Sequence, residues 1–156
     1  MTQPILFAVE DGEHGPATGG RIELSACRKG DVAEALFIAG AQMRNYEVFK
    51  PFGHAQTADM CLVKSGSSPM LAQVKTARRD PNRSNSYAIN IGKGCSNKRA
   101  YSLGDFHVLA AYLPDANKFV LWSIEDLKGR VTLRYSPEIH RAPDNWELLD
   151  EIAATI

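Results

Sequence analysis

Between about Ile22 and Asn45 the apolar residues Val32, Leu36, Ala39 and Met43 fall three or four positions apart, and Ala33, Ala35 and Ala41 favour helix between them. This spacing predicts the first helix. The period then changes to two. Tyr46-Glu47-Val48-Phe49 alternates as a strand and stops at Pro51-Phe52-Gly53. Met60 to Val63 and Met70 to Thr76 are apolar runs joined by Lys64-Ser65-Gly66-Ser67-Ser68-Pro69, the pattern of a hairpin. With its turn centred on Gly66, Asp59 falls opposite Gln73, and strand alternation puts Lys75 on the face of Gln73. A carboxylate, an amide and an ammonium are thereby gathered.

Beyond Thr76 the polar, Asn-rich and basic stretch to Tyr87 reads as a loop, and Tyr87 to Ile91 as a short strand. Phe106 to Tyr112 and Lys118 to Ser123 form a second hairpin across Pro114-Asp115-Ala116-Asn117. Asn145 to Ala153 predicts a short closing helix. Ile5 to Val9 has strand character, but the Gly- and Pro-rich stretch after it is loop, so residues 1–20 are read as an appendage to a domain over 21–156. The fold class is α/β, a single domain with a mixed sheet behind a helix.

Composition narrows the classes. The 156 residues fit one core, and 44% hydrophobic with 23% charged residues is ordinary for a globular protein. Cys27, Cys61 and Cys95 are odd in number and lack a CxxC pair, which argues against a disulfide framework or a zinc ribbon. The N-terminus is a poor signal peptide, and no stretch approaches the ~18 apolar residues of a membrane span, so a cytoplasmic protein is expected.

The formal charge is zero, yet Lys75 to Arg99 holds seven basic residues (Lys75, Arg78, Arg79, Arg83, Lys93, Lys98, Arg99) against Asp80 alone. A local basic sector suits a polyanion gripped at one place, or else a solvated loop. Three pieces stand in order ahead of and within it: the helical Gly30-Asp31-Val32-Ala33-Glu34, then Ala58-Asp59, then Gln73-Val74-Lys75-Thr76. In this order and spacing the chain resembles the PD-(D/E)XK nuclease superfamily over about Ala26 to Leu127.

The resemblance implies a restriction-endonuclease-like fold, a central mixed β-sheet flanked by helices. It implies a catalytic set of Glu34, Asp59, Gln73 and Lys75, with Asp59, Gln73 and Glu34 as metal ligands and Mg2+ or Mn2+ as the metal. Magnesium takes oxygen ligands and keeps several waters, so one or two carboxylates on a rigid strand suffice. Lys75 would orient or help deprotonate the water, or stabilise charge on the phosphate. The implied function is Mg2+-dependent hydrolysis of DNA phosphodiesters by an endonuclease of homing, restriction or resolvase type.

Arg78, Arg79, Arg83, Lys93, Lys98 and Arg99 would contact the DNA backbone of a double-stranded or branched substrate, and Asn82, Asn85 and Asn90 could reach base edges. Cutting both strands calls for a homodimer or higher homo-oligomer.

Two departures from the family pattern matter. Ala58 stands where the proline would, and Gln73 stands where the second acid would. Gln73 leaves open a module that binds DNA without cutting it, and a protein with no nucleic-acid role is the third reading. His54 and His107 lack ligand spacing to a second histidine, Cys61 and Cys95 read as packing residues, and Gly92-Lys93-Gly94 reads as a basic turn rather than a phosphate loop.

Overall fold

The computed structural model describes residues 24–53, 57–83, 85–94 and 97–156. The strand expected at Ile5 to Val9, the appendage expected over 1–20, His54 and Cys95 lie outside them. In chain order the elements are α1 (Ala26–Gln42), β1 (Glu47–Phe49), β2 (Met60–Val63), β3 (Met70–Thr76), β4 (Arg78–Arg79), β5 (Tyr87–Asn90), β6 (Val108–Leu113), β7 (Lys118–Ser123), α2 (Ile124–Leu127), β8 (Thr132–Tyr135) and α3 (Glu147–Ala153).

Helix α1 starts where the Ser25 side chain accepts the Arg28 N–H, satisfying one of the first-turn donors. It ends because Asn45 enters the left-handed region at φ 63°, with Asn45 N–H on Gln42 O and Tyr46 N–H on Ala41 O. The stripe it buries is Ala33, Phe37 and Ala41, whereas Val32, Leu36 and Met43 are exposed. The apolar surface of α1 is wider than its contact with the sheet. Phe37 decides which part turns inward, because it stacks on Trp146 and meets Phe119 edge-on.

The main sheet runs β1-β2-β3-β6-β7, antiparallel throughout except for the parallel β3–β6 pair. It is a mixed sheet in an α/β fold, and both its faces are covered. Met60, Leu62, Met70, Ala72, Val74, Val108 and Ala110 face α1 and α3. Leu109, Ala111, Leu113, Val120 and Trp122 face the other way, onto Tyr87, Ile89, Leu133 and Tyr135.

These last four belong to a second sheet, β4-β5-β8, which corrects the reading of Thr76 to Tyr87 as loop. Two residues of that stretch, Arg78 and Arg79, pair with Ala88 and Tyr87. Neither α2 nor β8 is visible as a pattern, being four residues each. Among the described residues no helix is long and apolar enough to cross a membrane.

Gly40 is where α1 comes up against Trp146, the residue just before α3. A Cβ there would lie 2.6 Å from the Trp146 ring, which is buried and held between aromatic neighbours. Helix propensity alone makes Gly→Ala stabilising by about 1 kcal/mol. Overpacking against a rigid ring costs about 1–3 kcal/mol. Gly40→Ala is therefore expected to lower the urea midpoint; a raised midpoint would show that Trp146 yields freely.

Candidate active site

The β2–β3 pairing sets Met60 opposite Ala72, Cys61 opposite Leu71 and Leu62 opposite Met70, so the turn centres on Gly66 at φ 80°. One step further along this register Asp59 faces Gln73, as the sequence predicts. Asp59 is tied to β3 three times. Its N–H bonds to Ala72 O at 2.9 Å, its Oδ2 accepts the Val74 N–H at 2.7 Å, and the same oxygen accepts the Gln73 side-chain N–H. Gln73 is only 4% exposed, a buried amide whose N–H is satisfied by the carboxylate.

Burial lifts the Asp59 carboxyl above its ordinary range, and the Val74 N–H, Lys75 and the Gln73 amide pull it back only in part, against a further push from the Glu34 charge. Lys75 thus lies close enough for its ammonium to act on Asp59, two residues beyond Gln73 on the same face. Asp59 has no salt bridge among the described residues. A half-buried carboxylate with raised pKa and no bonded cation is electrostatically suited to receive one.

Glu34 reaches this region from α1. The helix is drawn to the end of β3 by the Thr76 hydroxyl, which donates to Lys29 O at 3.3 Å. Its carboxylate is engaged elsewhere, however, since Lys50 Nζ sits 2.6 Å from Glu34 Oε2. The Lys50 ammonium is held charged by that bond and by Glu34, Asp59 and Asp31. Lys50 was not identified from the sequence, and a lysine ahead of a proline at a strand end carries no signal for this role.

Tyr101 is a second such residue. Its half-buried ring packs edge-on against Phe106, and burial, then the Asp59 and Asp105 charges, raise its phenol pKa.

The loops around the site are braced. Asp105 accepts the Ser102 N–H at 2.8 Å and pairs with Lys93 at 3.2 Å, which together hold its carboxyl below the usual range. The Thr57 hydroxyl donates to Asp105 O, connecting this loop to the approach to Asp59. His107 has a structural task, its Nδ1 accepting the Leu71 N–H at 2.8 Å at the mouth of the parallel β3–β6 pair. Cys27 and Cys61 are free thiols.

Among the predicted DNA contacts, Arg78 and Arg79 are exposed on β4, Arg79 with Asp115 at 3.5 Å, and Arg83 is exposed in the following turn. Lys93 and Arg99 bridge each other through their backbones, and Lys98 lies over Gly92. A groove of about 830 Å³ opens beside the end of β3, lined in part by Lys29, Thr76, Arg78, Arg79 and Asp115. None of Glu34, Asp59, Gln73 or Lys75 lines it. A polymeric substrate lies along a surface, so this groove need not hold the reacting atoms.

The hairpin bearing Asp59 and Gln73-Val74-Lys75, with α1 beside it, agrees with what the sequence profile of the PD-(D/E)XK endonuclease family finds, matching residues 24–151. The chain belongs to that family. The solved structure of a bacterial homing endonuclease, I-Ssp6803I, superposes on this member with a TM-score of 0.67, at 19% identity, over 84% of this chain and 95% of the other. At that identity the likeness establishes the shared fold, which is restriction-endonuclease-like. No curated protein sequence matches the chain.

The raised Asp59 pKa has a definite consequence. A carboxyl whose folded pKa exceeds its unfolded one disfavours folding while ionised, and the penalty is relieved as pH falls through the folded value. Asp59→Asn retains an acceptor for the Val74 N–H and removes the charge. Thermal melting should place this variant at or above the parent at neutral pH, with the gap closing towards acid. A lower Tm for Asp59→Asn at neutral pH would mean that the ionised carboxylate stabilises the fold.

Proposed function

We propose that this chain is a Mg2+-dependent endodeoxyribonuclease of homing, restriction or resolvase type. The observation that carries the reading is the half-buried Asp59 carboxylate, unpaired by any salt bridge among the described residues, with Gln73 and Lys75 beside it on one strand. Family membership and the likeness to a homing endonuclease support it.

The donor set fits a hard divalent ion. Among the described residues no three His, Cys, Asp or Glu side chains form a ready metal cluster. Magnesium needs fewer protein ligands than that, because it retains several waters. Asp59 would hold it, with the Gln73 amide oxygen and Glu34 as further oxygen donors once Lys50 releases the latter. When bound, the ion would supply a Lewis acid and an activated water.

The remaining work falls to the chain itself. Gln73 and the Val74 N–H fix the Asp59 carboxylate on its strand. Lys75 presents an ammonium on the same face, to orient the attacking water or to stabilise the charge that develops on the phosphate. Arg78, Arg79, Arg83, Lys93, Lys98 and Arg99 hold the backbone of double-stranded or branched DNA. A homodimer or larger homo-oligomer would bring one site to each strand.

The decisive experiment is cleavage of plasmid and branched DNA with magnesium or manganese. Asp59→Ala and Lys75→Ala should each lower the rate by about a hundred-fold or more. Salt-sensitive binding by a parent chain that does not cut would establish instead a DNA-binding module on the same fold.

Gln73→Glu gives a separate check. Two carboxylates in one site raise each other's pKa. The acidic limb of the pH–rate profile should therefore move to higher pH, and an unmoved limb would place the Gln73 side chain out of contact with the titrating group.

A further inference from the structure

The small sheet β4-β5-β8 presents one face to the core and the other to solvent. Tyr87, Ile89, Leu133 and Tyr135 point inward. The intervening residues share the outer face, and the register aligns them in rows: Arg78 beside Ala88 beside Arg134, and Asn90 beside Thr132. Arg78, Asn90, Thr132 and Arg134 are all exposed. Arg134 lies outside the basic sector of the sequence, and only strand pairing adds it to Arg78.

We infer that this outer face enters the major groove of duplex DNA, with Arg78 on the backbone at its edge and Arg134 as the principal residue reading base edges. The inference takes its substrate from the nuclease reading.

Dimensions favour the fit. Adjacent strands lie about 4.8 Å apart, so the backbone of Arg78 is roughly 10 Å from that of Arg134, within the major groove's width of about 12 Å. Ala88 between them is small enough to let a groove floor approach, and its methyl is suited to a thymine methyl. Arg134 has the chemistry for guanine, Asn90 for adenine.

Its guanidinium is also held in place. Asp80 receives the Asn82 N–H on Oδ1 at 3.0 Å and Arg134 Nη1 on Oδ2 at 3.2 Å. A carboxylate fixed in this way keeps the arginine fork oriented and leaves its other N–H groups for an acceptor pair. The row begins close to the chemistry, because Arg78 follows Lys75 by three residues, a span of at most ~10 Å and so about three base-pair steps.

The test uses the full chain, with calcium in place of magnesium, to select bound duplexes from a random-sequence library that is then sequenced. The parent should enrich a preferred sequence. Arg134→Ala should flatten that preference at one or two neighbouring base pairs, losing about 5-fold to 150-fold discrimination there.

Arg134→Lys keeps the charge and loses the fork, so it should flatten the same positions while retaining the salt dependence of binding. Unchanged melting curves would exclude misfolding as the cause. A parent with no preference, an unchanged preference in both variants, or an equal loss across all sequences would overturn the inference, the last by assigning Arg134 to phosphates alone. Sequence preference without any cleavage in magnesium would refute the nuclease reading and leave this one standing.

Discussion

Everything near the site depends on the register between β2 and β3. Side chains on a strand alternate, so a slip of one residue would exchange the two faces. Met70, Ala72 and Val74 now lie under α1 and α3, and Leu71, Gln73 and Lys75 lie on the opposite face. After such a slip Lys75 would enter an apolar core and Val74 would leave it. The burial of Met60, Leu62, Met70 and Ala72 therefore stabilises the fold and excludes the one-residue slip that would part Asp59 from Gln73.

The electrostatics of the site follow from that geometry. Asp59 accepts two N–H groups from β3 yet remains harder to ionise than an ordinary aspartate, because burial outweighs them. A second acid at position 73 would add like-charge repulsion to this burial. Glutamine instead donates to the carboxylate, so it firmly positions Asp59 at the expense of one negative charge. Glu34 could restore that charge, but Lys50 holds it at 2.6 Å. In this arrangement the Lys50 ammonium is the charge that a divalent ion would have to replace.

The second sheet links the core to the surface that would meet DNA. Its inner residues complete the cluster on the far face of the main sheet, around Tyr135, Ile89 and Leu109. Its outer residues are polar or basic apart from Ala88. A short strand buried on one side and wet on the other gives firm support to exposed side chains, which a loop of the same composition would not.

Much of this protein was legible in its pattern of residues. The first helix, both hairpins, the closing helix and the Gly66-centred register follow from periodicity and turn chemistry, which are local. So does the meeting of Asp59, Gln73 and Lys75, because a hairpin joins residues close in sequence. The rest depended on contacts between distant segments.

Only the packed structure decided that Phe37 rather than Leu36 turns inward, since that depends on Trp146 and Phe119 more than eighty positions away. Only it paired Arg78 and Arg79 with β5, added β8, and brought Lys50 and Tyr101 towards Asp59. Short elements carry too few residues to show a period, and a charge acts on whatever the fold sets beside it. Local order was written in the sequence; partnership across the fold required the tertiary structure.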